Sequence, residues 1–63
     1  MTLRSLKRHL KQNEGYLYRE GAKHSIWKNN STGQRSSVPR HTEITNTLVK
    51  KICKDLGMPS PFR

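Results

Sequence analysis

Leucines at positions 3, 6 and 10 recur at i, i+3 and i+7, and Arg4, Lys7, Arg8 and Lys11 fill the places between them. One apolar stripe on a helical period, with cations on the remaining faces, predicts an amphipathic helix over roughly 2–13. Thr2 stands at its start as N-cap and Gly15 at its end as a stop. A second, wider stripe runs through Leu48, Val49, Ile52, Cys53 and Leu56, with Lys50, Lys51 and Lys54 on the polar side. Thr45 caps this helix, Ile44 and Val49 sit where a hydrophobic staple packs, and Gly57 followed by Pro59 ends it.

The intervening residues lose the helical period. Tyr16-Leu17-Tyr18, Ile26-Trp27 and Ser36-Ser37-Val38 read as three extended pieces. Turn chemistry at Gly21-Ala22-Lys23 and at Asn29 to Gly33 separates them. The order helix, strand, strand, strand, helix predicts an α+β fold. Its simplest two-layer form is a three-stranded antiparallel meander with both helices on one face. The expected organisation is a single domain over residues 1–58 and a short loose tail over 59–63. Ile26 and Trp27 are neighbours and so point to opposite sides of the sheet, which leaves one of them outside the helix-covered core. The outer one is a base-stacking platform or a partner contact, or it lies under a dimer mate or a long Lys or Arg stem.

Composition narrows the partners. Of 63 residues, 13 are Lys or Arg and 4 are Asp or Glu, giving a formal charge of +9. So strong a surplus favours a polyanion, an anionic membrane or an acidic protein. With 30% hydrophobic residues the chain borders on disorder, and the two helical stripes argue for a fold. No apolar stretch is long enough for a membrane span or a signal-peptide core, so a cytoplasmic chain with no membrane partner is expected. The lone cysteine, Cys53, excludes an internal disulfide and fits a reducing compartment.

Phosphate-binding loops, dinucleotide fingerprints and Cys-x-x-Cys pairs are absent from the sequence. His9, His24, His41 and Cys53 are scattered without ligand spacing. Glu14, Glu20, Glu43 and Asp55 form no carboxylate group of the kind that two-metal nucleases use. Neither a metal nor a cofactor is expected. RNA cleavage remains open to such a chain, because RNA carries its own nucleophile in the 2′-OH. Histidine, with an ordinary pKa of about 6.5, serves as base or acid near neutrality. His24 has the best setting of the three: it follows the small turn Gly21-Ala22, adjoins Lys23 and opens the strand of Ile26 and Trp27.

The segment Gly21-Ala22-Lys23-His24-Ser25-Ile26-Trp27 resembles the glycine-to-histidine stretch of HicA toxins. Val38-Pro39-Arg40-His41 is similar to their VP-x-H stretch, and Ile52-Cys53-Lys54-Asp55-Leu56-Gly57 to the end of their last helix. The resemblance covers residues from about 3 to 57. It implies a fold like a double-stranded-RNA-binding domain, cleavage of mRNA, and neutralisation by a HicB-type antitoxin. By position it makes His24 the single catalytic histidine. Lys23, Lys28, Arg35 and Arg40 then become candidates for holding the RNA backbone, and Trp27 or Tyr18 for stacking on a base. Two positions depart from the family pattern. Lys23 stands where a small residue is usual, and the loop before the first strand is shorter. The alternative reading is a non-catalytic RNA-binding module of the same fold, which needs only phosphate and 2′-OH contacts. A third is a DNA-binding protein using Lys50, Lys51 and Lys54 of its last helix.

Overall fold

A computed structural model describes residues 1–62. The chain runs α1 (Leu3–Gln12), β1 (Gly15–Glu20), β2 (His24–Asn29), β3 (Arg35–Pro39) and α2 (Asn46–Asp55). The strands form one antiparallel sheet in the order β1-β2-β3. This is the α+β meander expected from the hydrophobic spacing.

Both helices start as the sequence predicts. The Thr2 hydroxyl accepts from the Ser5 N–H at 3.1 Å, and the Thr45 hydroxyl accepts from the Leu48 N–H at 3.3 Å. Each satisfies a backbone donor that the first helical turn leaves free. Ile44 and Val49 are both buried in the core, as a staple requires. The two starts are also tied together. The Ile44 N–H donates to the Met1 carbonyl at 2.8 Å and the Leu3 N–H to the Thr42 carbonyl at 2.9 Å. At its far end α2 closes with the Gly57 N–H on the Lys54 carbonyl and the Met58 N–H on the Cys53 carbonyl. That pair of bonds makes a Schellman motif, with Met58 packed into the core behind it.

The end of α1 departs from expectation. Gly15 does not stop the helix. Asn13 is the C-cap, and Glu14 takes the left-handed conformation at φ 68°. Gly15 already opens β1 and lies tight against the helix. A Cβ there would come within 2.7 Å of the Leu10 carbonyl oxygen. The glycine serves this close approach, and the linker between helix and strand shrinks to Asn13 and Glu14.

The core is one layer between the helices and one face of the sheet. Leu6 and Leu10 come from α1, Val49, Ile52, Cys53 and Leu56 from α2 and its cap, and Trp27 and Val38 from the strands. Along β2, Ser25, Trp27 and Asn29 are buried while His24 is exposed and Ile26 and Lys28 are half-buried. Trp27 therefore points inward, with 2% of its surface accessible, and Ile26 outward. This corrects the expectation that Trp27 can stack on a base: the bulkiest side chain of a thin core is needed inside it. Among the described residues its indole N–H has no acceptor, an omission costing about 1–3 kcal/mol that the burial of the ring offsets. Asn29 is the contrasting case of a satisfied buried polar group. Its side-chain amide donates to the Leu56 carbonyl at 2.7 Å and its oxygen accepts from the Ser31 N–H at 2.8 Å. It thereby fastens the β2–β3 turn to the end of α2.

Strand β1 is an edge, and it bulges. Leu17 lies opposite Trp27 and Arg19 opposite Ile26, which leaves Tyr18 as an extra residue. The tail does not dangle as expected. Phe62 packs against the core, and the Pro59 carbonyl lies 2.7 Å from His9 Nε2. An aromatic near the chain end has apolar surface to bury, and the edge of the core receives it. Arg63 lies outside the described residues. Among those residues no helix is long and apolar enough to cross a membrane.

Two outcomes are expected from this packing. Gly15→Ala should destabilise the fold by about 1–3 kcal/mol in urea titration, because the added carbon overlaps backbone and not a mobile side chain. Fluorescence of the single tryptophan should resist acrylamide quenching and stay unchanged when RNA is added. Strong quenching by either would overturn the placement of Trp27.

Candidate nucleic-acid interface

The parity that sends Trp27 inward sends His24, Ile26 and Lys28 to the opposite face, which neither helix covers. Strand pairing extends this outer face sideways. Lys28 lies between Tyr16 and Arg35, Ile26 between Arg19 and Ser37, and His24 beside Pro39. The bulge adds Tyr18. Tyr18, Arg19, Ile26 and Arg35 line an open depression of about 270 Å³. The Lys28 ammonium sits 4.9 Å above the Tyr18 ring, within cation–π range. Half-buried Ile26 is thus surrounded by an aromatic ring and two Arg side chains, in keeping with the expectation that long cationic stems shelter the outer residue.

His24 stands about 7 Å along the strand from Ile26 on the same face, two residues of strand rise away. It is exposed and opens β2 right after the turn Gly21-Ala22-Lys23. The Gly21 N–H donates to the His24 carbonyl at 2.7 Å. A Cβ on Gly21 would come within 2.8 Å of that same oxygen, so the turn needs glycine to close this tightly. Lys23 is exposed at the tip beside His24.

Ion pairing separates the cations into two groups. Among the described residues Glu20 pairs with Arg40, Asp55 with Lys51 and Glu43 with the N-terminal ammonium. Arg19, Lys23, Lys28 and Arg35 form no such pair. Lys28 and Arg35 are direct cross-strand partners, and like charges so placed repel. Arg40 is different from the other candidates. Its guanidinium bonds Glu20 and turns back onto the β1–β2 turn, so its donors are already engaged.

The structure thus brings Lys28 and Arg35 together, puts His24 at one end of the same face and leaves Lys23 exposed in the adjoining turn. It sends Trp27 to the core and commits Arg40 to the protein itself. Reasoning from sequence missed Arg19 and Tyr16 on this face. Their signal is the strand register, which the bulge at Tyr18 conceals in a plain alternation count. Two further depressions, of about 450 and 490 Å³, lie along the cationic face of α1 and share Arg4 and Lys7. They are larger than the one on the sheet, but no histidine lines them. No three His, Cys, Asp or Glu side chains gather among the described residues. Burial pushes the Cys53 thiol above its ordinary pKa, which keeps it protonated and unreactive inside the core.

No curated protein and no solved structure matches the chain. Residues 3–58 match the family model described as "HicA toxin of bacterial toxin-antitoxin", which spans helix, sheet and helix and includes His24. The chain therefore belongs to the HicA toxin family of bacterial toxin–antitoxin systems.

Proposed function

We propose that this toxin is a metal-independent endoribonuclease that cleaves mRNA with His24 and is held inactive by a HicB-type antitoxin. One observation carries the reading: an exposed histidine shares an uncovered sheet face with Arg19, Lys28 and Arg35, cations that have no acidic partner among the described residues. Juxtaposed like charges are costly in the free protein, and a phosphate backbone relieves that cost. The open sheet face and the exposed Tyr16 and Tyr18 suit single-stranded RNA, whose bases are free to stack.

The chemistry follows from the groups present. The backbone lies across the outer face with its phosphates on Arg35, Lys28 and Lys23. His24 takes the proton of a 2′-OH, and that oxygen attacks the adjacent phosphorus. The bond to the 5′-oxygen breaks, leaving a 2′,3′-cyclic phosphate and a 5′-OH strand, and the 5′-oxygen gains a proton. His24 equally serves as the acid of this last step. Cationic side chains stabilise the charge that builds on the phosphorus-bound oxygens. An acidic antitoxin fits the same face by charge, and cytoplasmic mRNA is the substrate available to such a pair.

The test is cleavage of an oligoribonucleotide in EDTA. His24→Ala should lower the rate by about 10²–10⁴-fold and leave RNA affinity within a few-fold of the parent. Lys28→Gln and Arg35→Gln should each reduce the slope of log affinity against log salt by about 0.7. Tight, salt-dependent binding with no cleavage by the parent would instead identify a non-catalytic RNA-binding module. Full activity in a folded His24→Ala protein would sink the assignment of the histidine.

A further inference from the structure

We infer that Arg40 is a positioning residue: it clamps the β1–β2 turn that presents His24 and does not contact RNA. This deepens the ribonuclease reading and rests on it. Arg40 follows Pro39, the register partner of His24, so it leaves β3 level with the turn. From there its guanidinium reaches five residues of the hairpin. The two N–H groups of Nη2 are shared among Glu20 Oε2 at 2.6 Å, the Gly21 carbonyl and the His24 carbonyl at 3.4 Å. Nη1 donates to the Ala22 carbonyl at 3.2 Å, and Nε to the Ser25 hydroxyl at 3.4 Å. The Ser25 hydroxyl in turn donates to Glu20 Oε1 at 2.8 Å, which closes a ring of Glu20, Ser25 and Arg40 around the turn.

Three backbone carbonyls pointing at one place repel each other unless a cation sits between them. A planar guanidinium with five N–H donors meets these converging acceptors. A lysine ammonium, a point charge with three donors, does not. The Glu20 carboxylate fixes the guanidinium through Nη2, the nitrogen that also meets the Gly21 and His24 carbonyls. It also neutralises the charge there, so an approaching phosphate meets neither a free cation nor a free anion at this spot. The result is a set backbone direction at His24, the residue that must meet a 2′-OH within hydrogen-bond reach. Misplacement by about 1 Å costs on the order of 100-fold in rate.

The variants are Arg40→Lys and the charge-neutral double change Glu20→Gln with Arg40→Gln, against Arg8→Gln on the outer side of α1 as a charge control. Cleavage kinetics, salt dependence of RNA binding and hydrogen exchange of the Gly21 amide are measured on each. The clamp predicts that Arg40→Lys and the double variant lose on the order of 10- to 100-fold in kcat. KM and the salt slope should stay within about twofold of the parent, and Gly21 exchange should accelerate at least about tenfold as its bond to the His24 carbonyl loosens. Retention of parental kcat by Arg40→Lys would overturn the inference. So would a raised KM with a flatter salt slope in the double variant, which is the signature of a lost phosphate contact. An inactive parent, or an active His24→Ala protein, would remove the ribonuclease reading itself. Gly21 exchange alone then decides: acceleration in Arg40→Lys upholds the clamp, and unchanged exchange overturns it.

Discussion

The parity of one strand decides what each side of this protein does. β2 carries Ile26 and Trp27 side by side, and the sheet can bury only one of them under the helices. Trp27 goes in. Ser25 and Asn29 follow it by alternation, and each then requires a partner, found in Glu20 and in the Leu56 carbonyl. His24, Ile26 and Lys28 go out by the same rule. A shift of one residue in this register would bury a histidine and a lysine and expose the indole. The core and the candidate site are therefore two consequences of one packing choice.

That choice also explains where the charge lies. A chain with 30% hydrophobic residues has apolar side chains enough to cover one sheet face. The other face is left to cations, whose long stems shelter Ile26. Among the described residues Arg19, Lys28 and Arg35 stand on that face without an acidic partner, because Glu20, Glu43 and Asp55 are engaged elsewhere. A thin core with mutual repulsion on its open face makes a marginal fold. A partner that covers the face supplies both counter-charge and stability, since whatever binds the native state alone shifts the folding equilibrium toward it.

The helices and the strand order were legible in the sequence because they rest on local spacing. Leu3, Leu6 and Leu10 mark one stripe, Thr2 and Thr45 cap, and Gly57 followed by Pro59 closes α2. The strand faces were not legible. Ile26 and Trp27 are equally apolar, so no alternation count decides between them, and the bulge at Tyr18 breaks the count on the neighbouring strand. Gly15 misled because glycine both ends helices and permits close approach, and only the contact with Leu10 distinguishes the two uses. At the candidate site, His24 and Lys23 stood out from their turn. Arg19 and Tyr16 did not, because their place depends on register across strands.

Arg40 shows the sharpest limit of reading charge from sequence. Beside His41 and after Pro39 it has the same appearance as Lys23 or Arg35, a cation near the candidate histidine. What separates them is the acceptor each one meets. Arg40 meets Glu20, which lies far from it in sequence, together with the carbonyls of a turn whose closure depends on Gly21. Those acceptors carry formal and partial negative charge, and they are held at fixed distance in the free protein. A cation already satisfied in this way has little electrostatic gain left from binding a phosphate. Lys28 and Arg35, set against each other, have the most to gain. The division of labour on this small basic protein thus follows from which cations the fold itself neutralises.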